Sequence, residues 1–187
     1  MTIRKLRIFL SHPADMAFYA NEASRMVAVS NPRWERDHKA NVSVETFRDI
    51  ASNFDASGVQ NATNRYFKDR YDIYLGLMGS KLGTPTSQFA SGTVEEYRIA
   101  VQSMQNGGKV SALLFGFCEV PINPYLIDAD ELKKAKEFRD EMSRNQLSFT
   151  WSKSEDFFGT VSDQIDKVVA EVSKDPKWMV KGGIRYK

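Results

Sequence analysis

The sequence holds one cysteine, two histidines, no marked excess of either charge and no long apolar run, and each shortage excludes a class of protein. Cys118 alone cannot close an internal disulfide, so the fold must be held by packing, and its place after "VSALLFGF" suits a buried structural thiol. His12 and His38 stand far apart with no Cys/His cluster around them, so no zinc or structural metal site is expected. Lys and Arg number 26 against 24 Asp and Glu, a net charge of +2, which lacks the field of a dedicated nucleic-acid binder. No segment approaches membrane-spanning length. The opening "MTIRKLRIFLSH" turns polar at once, which suits a first strand better than a signal peptide, and a cytoplasmic protein is the expectation.

What remains is an ordinary globular composition: 187 residues, 42% hydrophobic and 27% charged, enough for one core-forming domain. Apolar β-prone runs alternate with helical patterns, the signature of a parallel sheet with helices on both faces. The strands are expected at Leu6 to Ser11, at "NVSVETF" ending on Phe47, at "YDIYLGLMG", at "KVSALLFGF" and at "LSFTW". Helices are expected from Ala14 to Val29, near Val59 to Phe67, from the segment "SGTVEEYRIA", over "DADELKKAKEFRDEMSRN" and from Glu155 to Val172. "NPRWERDHKA" reads as a polar loop. No repeat, linker or low-complexity segment interrupts the pattern. The reading is an α/β, flavodoxin-like three-layer fold with a five-stranded parallel sheet in the order 2-1-3-4-5, filling residues 1–175 and followed by a locally basic tail, 176–187.

In such sheets ligands bind beyond the carboxyl ends of the strands, where the strand order reverses. Two segments meet there: "SHPAD" after the first strand and "GSKLGTPTSQFASGT" after the third. Ser11 and His12 could offer hydrogen bonds to a ribose or phosphate, and Asp15 follows as either a site residue or a helix-start carboxylate. The second loop is long, which favours function. Its glycines allow close backbone approach, and Ser80 and Lys81 could position a phosphate. It is neither a Walker loop nor a dinucleotide fingerprint, and flexible turn glycines with a solvated lysine is the alternative. Arg48 would suit a pyrophosphate, with a solvated Arg48–Asp49 pair as the alternative. Trp34 could stack on a base, whereas Trp151 reads as packing and Trp178 as a clasp for the tail.

Glu95 and Glu96 open the helix after the long loop. Thr93 and Glu96 have the spacing of a capping box, a purely structural role. Helical stepping nevertheless separates the two carboxylates. Val94, Tyr97, Val101 and Met104 form the stripe that should face the sheet, Glu95 projects with Arg98 and Gln102 toward solvent, and Glu96 projects along a smaller edge toward the crevice.

The segments "RIFLSHPAD", "YDIYLGLMGSKLGTPTSQFASGTVEEYRIA" and "KEFRDEMSRNQLSFTWSKSEDFF" resemble a TIR-like domain of bacterial defence and signalling proteins, and more distantly the nucleoside 2-deoxyribosyltransferases. The resemblance implies a catalytic glutamate early in the helix after the loop, and the deoxyribosyltransferase pattern G-T-x-x-E falls on Gly92, Thr93 and Glu96. Its implication is an NAD-consuming glycohydrolase or cyclase that cleaves the nicotinamide–ribose bond. Glu96 would stabilise the ribosyl cation, and NAD would be a substrate with no further cofactor. Nicotinamide leaves neutral, so one carboxylate would suffice. The S/W-C-x-x-E form of many TIR enzymes is replaced here by "SGTVEE". The same resemblance implies a homo-oligomer or TIR-type assembly, with a partner defence protein. Two alternatives stay open: a non-catalytic assembly module, and an N-glycosidase or deoxyribosyltransferase-like enzyme with another nucleoside or nucleotide substrate.

Overall fold

Alternation of side chains along the strands builds two cores from one sheet. In the first strand Leu6, Ile8 and Leu10 join one buried cluster, while Phe9 joins the other. The third strand repeats the division, with Ile73, Leu75 and Leu77 on the first face and Tyr74 and Met78 on the second. All six of its residues are buried, as expected of a central parallel strand covered on both sides.

The computed structural model describes residues 2–47, 70–120, 125, 128–144, 148–174, 180–181 and 184–185. Among these, β1 (Arg4–Ser11), β2 (Ala40–Glu45), β3 (Ile73–Met78), β4 (Ala112–Cys118) and β5 (Ser148–Trp151) form one sheet in the order β2-β1-β3-β4-β5. Every neighbouring pair is parallel. This is the expected flavodoxin-like α/β architecture. The described helices are α1 (Ala17–His38), α2 (Gly92–Gln105), α3 (Ala129–Arg144) and α4 (Phe157–Lys174). Short 3-10 turns, Ala14–Met16 and Ser154–Asp156, lead into α1 and α4. The expected helix near Val59 to Phe67 lies outside the described residues.

Helix spacing decides which core each helix serves. Val161, Ile165, Val169 and Val172 of α4 recur every three or four residues and pack with Ala20, Ala23, Met26 and Val27 of α1 on the first face. Val94, Tyr97 and Ala100 of α2, with Ala135, Phe138 and Met142 of α3, cover the second.

Helix α1 corrects the expected polar loop at "NPRWERDHKA": it continues through Pro32 to His38 and ends on Lys39 in the left-handed region, φ 53°. Proline inside a helix removes one backbone donor and strains the preceding turn, and tertiary contacts offset that cost. The Asn31 amide donates to Val42 O at 2.9 Å and its oxygen accepts from Val42 N at 2.7 Å, which ties the helix to β2. Trp34, three residues on, is buried against α4. The second strand stops at Glu45, short of Phe47. In the tail, β6 (Val180–Lys181) and β7 (Ile184–Arg185) form a small antiparallel ladder that the sequence pattern did not suggest.

Candidate functional site

The strand order places β1 beside β3, and their following helices lie on opposite faces: α1 in the first core, α2 in the second. The carboxyl ends of these two strands therefore open the sheet's switch point. Ser11 ends β1 opposite Gly76 of β3, and the start of α2 reaches the same place.

The start of α2 is capped by Ser91, whose backbone is extended (φ −163°, ψ 162°) and whose hydroxyl accepts from Val94 N at 3.2 Å. The Thr93–Glu96 capping box is thus superseded. Glu96 instead accepts a hydrogen bond from Ser11 Oγ at 2.5 Å, and both residues are buried. Tyr74 adds a third buried polar group beside them: its hydroxyl donates to Thr93 O at 3.2 Å. Burial, then the charge of Glu96, push the Tyr74 phenol well above its ordinary value.

Glu95 departs from expectation. It is 6% exposed, not solvated. The reason is that the long loop folds over the first turn of α2: Gly92 N donates to Thr84 O, and Gly83, at φ +103°, brings the chain against Ser91. All five residues from Thr93 to Tyr97 are consequently buried, and the solvated face begins only at Arg98.

That loop is built, residue by residue. The backbone N–H groups of Ser80 and Lys81 hydrogen-bond the Asp15 carboxylate, which the Lys81 charge also favours. Burial outweighs these donors and raises the Asp15 carboxyl above its ordinary value. Leu82 N donates to Glu131 Oε2 at 3.2 Å, and Thr86 closes a turn with Gln88 and Phe89. Gly79 marks a close approach: a Cβ there would lie 2.9 Å from both Asp15 Oδ2 and Met16 Sδ, so those side chains would have to shift. Asp15 is therefore a loop anchor.

Of the residues singled out in the sequence, Ser11 and Glu96 are brought into direct contact. His12 follows at the rim, its Nδ1 2.9 Å from Pro13 O, which requires the proton on Nδ1, and its ring faces Phe47 at 6.3 Å. Ser80 is buried and Lys81 exposed, both at the Asp15 anchor. Arg48 lies outside the described residues. Trp34 is not a stacking platform: it is 1% exposed and its indole N–H donates to Asp166 Oδ1 at 2.7 Å. Trp151 packs on Tyr19 and Phe157. Cys118 is half-buried beside Tyr19 and Trp151, and burial raises its thiol away from a reactive thiolate. Tyr74 was missed because an apolar strand with one tyrosine reads as core; its phenolic oxygen was the available signal.

An open hollow of about 450 Å³ lies elsewhere, at the end of β5 and the start of α4, lined by Trp151, Ser152, Glu155, Asp156 and Thr160 among others. None of Ser11, Tyr74 or Glu96 contributes to it. Among the described residues no group of three or more His, Cys, Asp or Glu is arranged to hold a metal, and no helix is long and apolar enough to cross a membrane.

No family model and no curated protein matches the chain. Among solved structures, the S-formylglutathione hydrolase FrmB from Staphylococcus aureus, as apoenzyme, is similar over 90% of this chain and 83% of that one, with 11% identity and a TM-score of 0.37. Likeness at that level transfers neither reaction nor substrate. The expectation of an NAD-consuming glycohydrolase or cyclase is corrected here: the solved structure named above is a hydrolase of S-formylglutathione, not a protein acting on NAD.

Proposed function

We propose that the crevice at the ends of β1 and β3 is the active site of an enzyme for a nucleoside- or nucleotide-class small molecule, with Glu96 as its working carboxylate. The observation that carries this reading is the buried Ser11–Glu96 hydrogen bond at the switch point of the sheet. With Ser91 serving as the helix cap, Glu96 is not needed for that purpose. A carboxylate held by a hydroxyl near a helix start can stabilise a centre that becomes electron-poor, or attack it. The loop from Gly79 to Ser91, anchored through Asp15 and Glu131, would form one wall, and His12 at the rim would contact the ligand's polar groups. The ligand class is supported by the resemblance of Gly92, Thr93 and Glu96 to the deoxyribosyltransferase pattern within a TIR-like sequence.

The test is a panel of nucleosides and nucleoside mono-, di- and triphosphates, followed for binding by calorimetry and for turnover by chromatography, at low and high protein concentration. Glu96→Gln keeps the shape and removes the charge. Turnover lost in that variant, with ligand binding retained, is the expected result. A panel without binding or turnover at either concentration overturns the reading, as does turnover that survives Glu96→Gln.

A further inference from the structure

Helix α1 turns Ala20, Ala23, Met26, Val27 and Trp34 into the first core and leaves its opposite side at the surface. That side carries Phe18, 65% exposed, and Val29, 70% exposed, the most exposed large hydrophobic residues on the described helices. Eleven residues separate them, about three helical turns, so they share one line along the helix roughly 16 Å apart. Between them on that line, at steps of four, three and four, stand Glu22 and Arg25, which pair at 2.6 Å. The Phe18 ring rests edge-on against Tyr19 at 5.3 Å, and Tyr19 packs in turn on Trp151 and Phe157, so the exposed ring is presented in one place. Single exposed apolar side chains are ordinary on a protein surface. Two on one line, with an ion pair between them, make a pattern.

The pattern is even in its spacing and opposite in charge about a midpoint between Ala23 and Ser24. Phe18 and Val29 stand equally far on either side of it, and so do Glu22 and Arg25. When two copies of one helix lie antiparallel across a two-fold axis at that midpoint, each residue faces the one at equal distance on the other side. Phe18 then meets Val29 of the second copy, Glu22 meets Arg25 of the second copy, and each contact occurs twice. Parallel copies would instead set Glu22 against Glu22 and Arg25 against Arg25, which repel.

We propose that this side of α1 docks on the same side of a second copy of the chain, antiparallel, to form an isologous dimer. The apolar contacts at the two ends supply the attraction, and the four central charges of alternating sign fix direction and register. One helix line covers less than the about 800 Å² per partner of a standard interface, so the dimer is reversible and depends on concentration. The surface is separate from the crevice at Glu96, and its test needs no substrate.

Sedimentation equilibrium of the full chain, from about 1 μM to about 1 mM, reads the association. Wild type is expected to pass from monomer to dimer within that range. Glu22→Arg makes the line all positive and Arg25→Glu makes it all negative, so each variant alone should dimerise at least about tenfold more weakly. An equal mixture of the two, one of them fluorescently labelled, should recover the dimer as a heterodimer, because every facing pair is again of opposite sign. The double exchange Glu22→Arg/Arg25→Glu should recover it in a single chain. Phe18→Asp should abolish the dimer by removing its apolar ends. The exchange also separates docking from misfolding, since a chain that failed to fold would not be rescued by its counterpart. Wild type that stays monomeric throughout, single variants that associate as wild type does, or a mixture no tighter than its components overturns the proposal.

Discussion

Removing the carboxylate of Asp166 should cost far more than its position on a partly exposed helix face suggests. The side chain accepts from the Trp34 indole N–H at 2.7 Å and from Arg33 Nη2 at 2.5 and 2.7 Å. The two interactions differ in kind. Arg33 is 47% exposed, so its ion pair is screened and contributes roughly 0.2–1 kcal/mol. Trp34 is 1% exposed, and a buried donor left without its acceptor costs about 1–3 kcal/mol. Asp166→Ala loses both, about 1–4 kcal/mol together. Asp166→Asn keeps an oxygen for the indole and loses only the ion pair, under about 1 kcal/mol. Urea unfolding at low and high salt measures the difference. High salt should shrink the loss in Asp166→Asn and leave most of the loss in Asp166→Ala. Equal losses in the two variants, or a loss in Asp166→Ala that salt abolishes, would refute the assignment of the cost to the indole N–H.

Three further perturbations test the site and its supports. The Tyr74 phenol is raised well above 10.0 in the fold by burial and by Glu96, so the stability it contributes is fully present below about pH 10 and is lost as pH rises toward its folded value; urea midpoints should fall on the alkaline side in wild type and fall less in Tyr74→Phe. Gly79→Ala brings a methyl to 2.9 Å from Asp15 Oδ2 and Met16 Sδ, and should cost about 1–3 kcal/mol, read by the same assay, with part of the loss recovered when Asp15→Ala is added. Ser91→Ala removes the cap of α2 and should cost about 1 kcal/mol, with faster amide exchange at Val94 as its local signature.

The sheet was legible because each strand carries a period-two division of apolar residues and each described helix a three-to-four spacing; both patterns survive in the packed structure. The extent of α1 was not legible. Asn31, Pro32 and the charges around Trp34 read as a loop, whereas in the fold that stretch is helical and tied to Val42 and Asp166. Within the site, stepping round α2 correctly separated Glu96 from Glu95 as the carboxylate that meets Ser11. The same stepping misjudged Glu95, because periodicity describes a helix against a flat core and not one whose first turn is also roofed by a loop. Asp15 was open to two readings, and the fold adds a third: it serves the backbone of a loop some sixty-five residues away in sequence, a contact that no local pattern encodes.

The division of labour at the start of α2 explains why a buried carboxylate survives there. An acidic residue in that turn could serve the helix alone, through a cap or the dipole, and would then have no reason to be buried against β1. Ser91 already supplies the cap, and the macrodipole is served equally by Glu95. Burying Glu96 next to Ser11 and a buried phenol is poor economy for stability, since a desolvated carboxylate recovers little more than it loses even when well bonded. Glu95 is buried too, so burial alone singles out neither carboxylate; what sets Glu96 apart is its place, at the end of β1 beside the end of β3, where a ligand can approach both a loop and a helix start. Structural need accounts for Asp15, Asp166 and Ser91 from their partners. Glu96 is bonded to Ser11 where the ends of β1 and β3 meet, and that place is the physical reason to look for chemistry there.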